Sequence, residues 1–292
     1  MVPLADLLGR LGQRLGPAAG PPQPLDGGIT NRSFRVRFGE RDYVVRRPGK
    51  DTQLLGIDRE AERRANEAAA ALGIAPRIGV ADDDCLVTEY LGGVPADAGR
   101  AVEGLARALR AFHDSATELP VTFWVPDLLD RYAAIVSERG GTVPSDYRDA
   151  QTIARRIADA LPLSEPAPCH NDLLPGNLLT VGDAVVLVDW EYAGMGHRLF
   201  DLGNLAVNNE YGEEAEDRLL TAYFGHPPDA ALAAGLKLMR LMSDAREAAW
   251  GVVQSVISDL DFDFGAYARQ HFDRLGAAAS QLERWLSDAA SA

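Results

Sequence analysis

The sequence predicts an α+β protein of two lobes: residues 1–92, built on antiparallel sheet plus a helix, and residues 93–292, mainly helical. Two observations carry that prediction. Apart from one hairpin, the segments with strand-like alternation all precede Leu91-Gly92-Gly93. After Pro95 the apolar residues recur at helical spacing over long stretches. The length, 292 residues, suits one large domain or two modest ones.

The elements follow in order. Leu4, Leu7, Leu8, Leu11 and Leu15 repeat at helical spacing, with Asp6 among them and no basic start. The N-terminus is therefore expected to form an amphipathic helix and not a signal peptide. Gly16 to Pro24 is rich in Gly and Pro and reads as a linker. Ser33 to Phe38 and Asp42 to Arg46 alternate around Gly39-Glu40-Arg41, a hairpin signal. Asp58 to Leu72, dense in Ala, Glu and Arg, predicts a helix with Asp58 as N-cap and Gly73 as stop. Short strands are expected over Arg77 to Val80 and Cys85 to Tyr90. Helices are expected over Asp97 to Ser115, Pro126 to Arg139, Ser145 to Leu161 and, beyond Phe200, over nearly all the remaining chain, including Asp229 to Leu260. The one exception is a second hairpin, Asn177 to Thr180 and Ala184 to Asp189 around Val181-Gly182-Asp183.

Composition narrows the function. A net charge of −14 argues against a nucleic-acid partner, which requires a basic face, and is compatible with a cationic small substrate. No run of about 18 apolar residues exists, so no membrane-spanning helix is expected. Two cysteines, Cys85 and Cys169, are too few for a disulfide framework and fit a reducing cytoplasm.

The chemistry concentrates in Cys169-His170-Asn171-Asp172-Leu173-Leu174-Pro175-Gly176-Asn177 and in Val188-Asp189-Trp190-Glu191 after the second hairpin. Phosphoryl transfer needs a carboxylate to orient and deprotonate the attacking hydroxyl, and hard oxygen ligands to hold Mg²⁺ against the triphosphate. Asp172, Asn177 and Asp189 supply them in the order H-x-D-x-x-x-x-N and a later Asp. Singly, each residue is more often a turn or cap than a catalyst; together they point to catalysis. His170 is expected to hydrogen-bond beside the loop, and a Cys169–His170 nucleophile pair is disfavoured because adjacent residues seldom face each other.

Upstream, Gly27-Gly28-Ile29-Thr30-Asn31-Arg32-Ser33 precedes the first good strand. Gly28 lets backbone approach phosphates, and Thr30, Asn31 and Ser33 offer donors. In Tyr43-Val44-Val45-Arg46-Arg47, one arginine could hold the α/β-phosphates while Glu62 on the following helix fixes it; Arg46 is favoured over Arg47. Tyr192, Trp250 and Tyr267, with Glu191, Glu247 and Asp244 nearby, are core aromatics on one reading. On another they form a cation site, each ring worth about 0.5–2 kcal/mol.

At these residues the chain resembles the choline/ethanolamine kinase family, within the aminoglycoside phosphotransferase-like group. The matching runs are Gly27-Gly28-Ile29-Thr30-Asn31, Val45 to Lys50, Asp58 to Glu62, His170-Asn171-Asp172, Asp189-Trp190-Glu191-Tyr192, Phe200 to Asn204, and Trp250 to Gln254 with Tyr267. The resemblance implies a bilobal protein kinase-like fold, ATP in the cleft, and Mg²⁺ on Asn177 and Asp189. It makes Asp172 the base, Arg46 the phosphate contact, Glu62 its partner, and Glu89, Tyr90 and Leu91 the hinge under adenine. Glu191, Tyr192, Asn208, Glu247, Trp250 and Tyr267 would line the acceptor region. Asn171 stands where antibiotic kinases more often have Gly, which tilts the resemblance toward the amino-alcohol branch. Two positions depart from that branch: Glu247 lies where a second Trp is common, and Asn208 where an acidic residue is. Choline or ethanolamine is the expected acceptor. The alternatives are an aminoglycoside or sugar-like alcohol and, more remotely, a non-catalytic pseudokinase.

Overall fold

The computed structural model describes residues 2–25 and 31–291. Helix α1 (Leu4–Leu15) is followed by strands β1 (Gln23–Leu25), β2 (Arg32–Phe38) and β3 (Arg41–Arg47), helix α2 (Arg59–Ala71), and strands β4 (Ile78–Asp82) and β5 (Cys85–Glu89). The five strands form one antiparallel sheet in the order β1-β2-β3-β5-β4. Alternation decides the packing: Val36, Phe38, Tyr43, Val45 and Val87 are buried on a face covered by Leu7 and Leu11 of α1. Burying each of those two leucines is worth about 1.5–3 kcal/mol. Asp58 caps α2 by accepting from Ala61 N, 2.8 Å away.

The remainder is helical around small sheets. Strand β6 (Val94–Pro95) leads to helices α3 (Val102–His113), α4 (Val125–Glu138) and α5 (Ser145–Ala160), then strands β7 (Ala167–Cys169), β8 (Leu178–Val181), β9 (Ala184–Leu187) and β10 (Gly194–Gly196). Helices α6 (Arg198–Asn208), α7 (Glu213–Phe224), α8 (Ala230–Ile257), α9 (Phe264–Ala279) and α10 (Leu282–Ala289) complete the chain. Helix α8 is buried nearly all round from Ala234 onward and packs against α4, α5, α6, α9 and α10. Two glycines allow the close crossings: a Cβ on Gly203 would lie 2.6 Å from the Met239 backbone, and one on Gly251 would lie 3.0 Å from Ala268.

An antiparallel sheet at the N-terminal end and a helical C-terminal part agree with the predicted class, and the long elements fall within a few residues of expectation. Three features differ. The Gly/Pro-rich stretch is not purely a linker, since Ala18 bridges to Phe38 and β1 pairs with β2. Asp97 caps a turn, accepting from Arg100 N at 3.2 Å, so α3 starts only at Val102. Strands β6, β7 and β10, two or three residues each, are too short to carry a period and exist because a partner strand lies alongside.

Candidate functional site

Strand β7 pairs with β10, which sets His170-Asn171-Asp172 beside Tyr192. Helix α6 then fastens the loop from below. Asp201 accepts from His170 N at 2.8 Å and Asn171 N at 2.7 Å and pairs with His113 Nε2 at 3.0 Å, while Asn204 accepts from Leu173 N. Asn171 has φ of 65° and Asp189 has φ of 62°, the left-handed region that Asn and Asp tolerate better than other side-chain-bearing residues. The Asn171 amide donates to the Tyr192 carbonyl at 3.0 Å and so ties the two segments together.

His170 is fully buried. Its Nε2 lies 3.0 Å from the Val188 carbonyl, Asp172 N donates to its Nδ1, and burial lowers its basicity, so the ring is held neutral and committed to the loop. The Cys169 thiol is also fully buried and pushed far up by desolvation, which leaves no thiolate for a nucleophile. His113, Cys169 and Asp201 approach one another closely enough to suggest metal ligation. The Asp201 oxygens are, however, already engaged by two backbone amides and His113, as a structural anchor would be.

Asp172 is 6% exposed. Its Oδ2 accepts from Asn177 Nδ2 at 3.1 Å, the same nitrogen donates to the Asp172 carbonyl at 2.8 Å, and its Oδ1 accepts from Arg246 Nη1 at 3.1 Å. Burial raises the carboxyl to about 8; Arg246 opposes the shift, and Glu247, Asp189 and Glu191 add to it. With the Asn177 nitrogen spent on Asp172, its amide oxygen remains for another partner. Val188 N donates to the Asn177 carbonyl at 3.0 Å, so Asp189 follows directly beside it. An amide oxygen and a half-buried carboxylate are hard donors of the kind Mg²⁺ takes.

Arg46, on β3 opposite Ser33 of β2, reaches out of the sheet to ion-pair with both Glu62 of α2 and Asp189. Arg59 lies 2.8 Å from Glu62, and both arginines lie 3.6 Å from Glu191. Asn31 donates to Glu191 at 2.8 Å. Burial and the neighbouring Asp189 push the Glu191 carboxyl up, while the arginines and Asn31 hold it down. Glu191 thus joins the arginine group more closely than the aromatic one. Glu89, Tyr90 and Leu91 are half-buried at the end of β5, where Tyr90 N donates to the Asp42 carbonyl and Arg35 stacks on the Tyr90 ring. Gly28 and Thr30 lie outside the described residues.

The aromatic candidates also come together. Trp250 Nε1 donates to the Tyr192 hydroxyl at 2.7 Å, Trp250 packs edge-on against Tyr267 at 5.4 Å, and the Tyr267 hydroxyl donates to Glu247 at 2.8 Å. Asn208 stands apart from this set, accepting from Arg274, which also pairs with Asp244.

Two groups escaped sequence reasoning. Arg246 bridges Asp172 and Glu247, and Arg59 doubles the Arg46–Glu62 pair. Arg59 offered a signal, three residues before Glu62 on one helix. Arg59, like Asp201 and Asn204 on α6, also lies in one of the runs that carry the resemblance, with no role attached to it there.

Residues 22–235 match the phosphotransferase enzyme family. The chain belongs to that family. Among solved structures, this phosphotransferase is similar to a choline/ethanolamine kinase family protein from Mesorhizobium loti, 30% identical over 94% of each chain with a TM-score of 0.79. It also shares its fold with the choline kinase LicA from Streptococcus pneumoniae, 23% identical over 95% of this chain and 99% of that one, TM-score 0.79. Ethanolamine kinase 2 from Mus musculus is 27% identical over 284 residues, 85% of this chain and 73% of its own. The kinase-like fold expected from the sequence is thus the fold of the phosphotransferase. Among its described residues, no helix is long and apolar enough to cross a membrane.

Proposed function

We propose that this phosphotransferase moves the γ-phosphoryl group of ATP to the hydroxyl of a small amino alcohol, choline or ethanolamine. The observation that carries the reading is the hold of one amide nitrogen, Asn177 Nδ2, on Asp172, while the Asn177 backbone carbonyl accepts from the N–H of Val188, the residue before Asp189. In this reading the base and two hard oxygen donors act together on the phosphates, as in-line phosphoryl transfer requires. The relatives' names support a small alcohol acceptor. The reading divides the chain into a nucleotide-binding lobe, residues 1–92, and a lobe carrying base, metal ligands and acceptor site, residues 93–292.

In this reading ionised Asp172 takes the proton of the acceptor hydroxyl as the hydroxyl oxygen attacks the γ-phosphorus and the bond to the β-phosphate oxygen breaks, releasing ADP. Arg46, braced by Glu62, neutralises phosphate charge, and Asn31 and Ser33 donate to phosphate oxygens. Glu89, Tyr90 and Leu91 lie under the adenine. Asn177 and Asp189 would hold Mg²⁺, which would supply charge neutralisation for the phosphates. The acceptor would enter from the side of Tyr192, Trp250 and Tyr267.

The test is ADP release with choline, ethanolamine, their partly methylated intermediates, aminoglycosides and simple sugars. Turnover is expected with amino alcohols and is expected to vanish in Asp172→Asn, which still binds ATP. Turnover with aminoglycosides alone, or near-normal turnover in Asp172→Asn, would overturn the proposal.

A further inference from the structure

Arg246 is an unusual residue for its place. It lies in the apolar helix α8, is 1% exposed, and holds its guanidinium carbon 4.3 Å from the centre of the Tyr192 ring. Its Nη1 lies 3.1 Å from Asp172 and 2.6 Å from Glu247. Among the described residues, its Nε and Nη2 have no hydrogen-bond partner, so the ring face is a principal partner of the cation on that side. An aromatic face backed by two carboxylates is what a small organic cation seeks, and here the chain fills it with a cation of its own. The neighbouring rings are no freer: Trp250 is 3% exposed with its N–H spent on Tyr192, and the Tyr267 hydroxyl is spent on Glu247.

We propose that Arg246 is the specificity-determining residue for the acceptor. By occupying the Tyr192–Asp172–Glu247 corner it denies a quaternary ammonium its aromatic face and selects alcohols whose amine carries N–H donors. The chemistry separates the two classes. A trimethylammonium group has no N–H and depends on ring faces, whereas a primary ammonium donates to the carboxylate lone pairs that Arg246 leaves unused. This inference rests on the amino-alcohol reading above and narrows it to amines that carry an N–H when protonated, excluding the quaternary ones.

The experiment compares kcat/KM for ethanolamine and choline in wild type and Arg246→Ala, with tetramethylammonium as a binding probe. Wild type is expected to favour ethanolamine by about tenfold or more, and Arg246→Ala to move the ratio toward choline by about tenfold, the range one ring face supplies. Guanidinium added to Arg246→Ala refills the corner and should move the ratio back; Arg246→Lys, which keeps the charge, should retain the wild-type preference. Tetramethylammonium is expected to raise the melting temperature of Arg246→Ala and not that of wild type. A wild type that uses choline as well as ethanolamine, or an unchanged ratio in the variant, overturns the inference. Should Arg246→Ala fail to fold, Arg246→Gln replaces it, and the wild-type ratio decides alone if neither folds. If wild type phosphorylates neither alcohol, the amino-alcohol reading fails. The probe then decides separately: stabilisation of the variant alone supports a filled corner, and equal effects on both proteins overturn it.

Discussion

Asp172 is held at a cost that its own pH dependence exposes. Its carboxyl, ordinarily near 3.8, is raised to about 8, first by burial, with Arg246 only partly offsetting the loss of water. Between those values the folded protein binds a proton that the unfolded chain does not, so this residue's contribution to stability falls as pH rises from about 4 to about 8. Asp172→Asn removes the buried charge. Its melting temperature is expected to exceed wild type by about 2 °C or more at pH 8–9, with the gap closing toward pH 4, while turnover is lost. Calorimetry across that range checks it; a variant less stable than wild type at pH 8 would mean that the Arg246 pair outweighs desolvation. Asp172, Asn177 and Asp189 were legible in the sequence because their spacing along one loop and hairpin is itself the geometry. Arg246 was not, because its partners are 74 residues away and adjacent in sequence, respectively, and an arginine in an Ala-rich helix has the pattern of a solvated face.

At the scale of elements, the site depends on how closely α6 approaches α8. Asp201 and Asn204 on α6 hold the backbone of the loop from His170 to Leu173, and Asn204 also donates to Ser243 on α8 at 2.9 Å. Gly203, between them, makes the approach possible, since a Cβ there would lie 2.6 Å from one Met239 backbone atom and 2.7 Å from its Cβ. Gly203→Ala must therefore separate the helices. The expected result is a loss of about 1–3 kcal/mol in urea unfolding, together with a fall in kcat as the Asp201 and Asn204 bonds to the loop lengthen. A variant with unchanged stability and kcat would show that α6 does not position the loop. The long helices were readable from period and caps, as Asp58 before α2 illustrates. The β7–β10 pairing was not, because three residues carry no period and the pairing joins segments well apart in the chain.

For the whole molecule, the acidic net charge favours the approach of a cation. The net charge is −14, and Asp259, Asp261 and Asp263 stand exposed on the loop between α8 and α9, whose Phe262 packs against Tyr267 at 6.1 Å. Tyr267 in turn holds Glu247, so this acidic rim borders the proposed acceptor corner. Such a field acts over roughly a Debye length, about 10 Å at 0.1 M salt and about 3 Å at 1 M. Exposed carboxylates at the rim are screened first, whereas the buried pairs around Asp172 are screened little. Raising salt from about 50 to about 500 mM at saturating ATP should therefore increase KM for a cationic acceptor by about two- to fivefold and leave kcat nearly unchanged. Neutralising Asp259, Asp261 and Asp263 together to Asn should flatten that dependence by raising KM at low salt. A neutral diol of similar size, if it turns over at all, should show no salt effect on KM. A cationic acceptor with a KM indifferent to salt would place recognition wholly in the buried corner, where Arg246 sits, and leave the acidic rim as solvated surface.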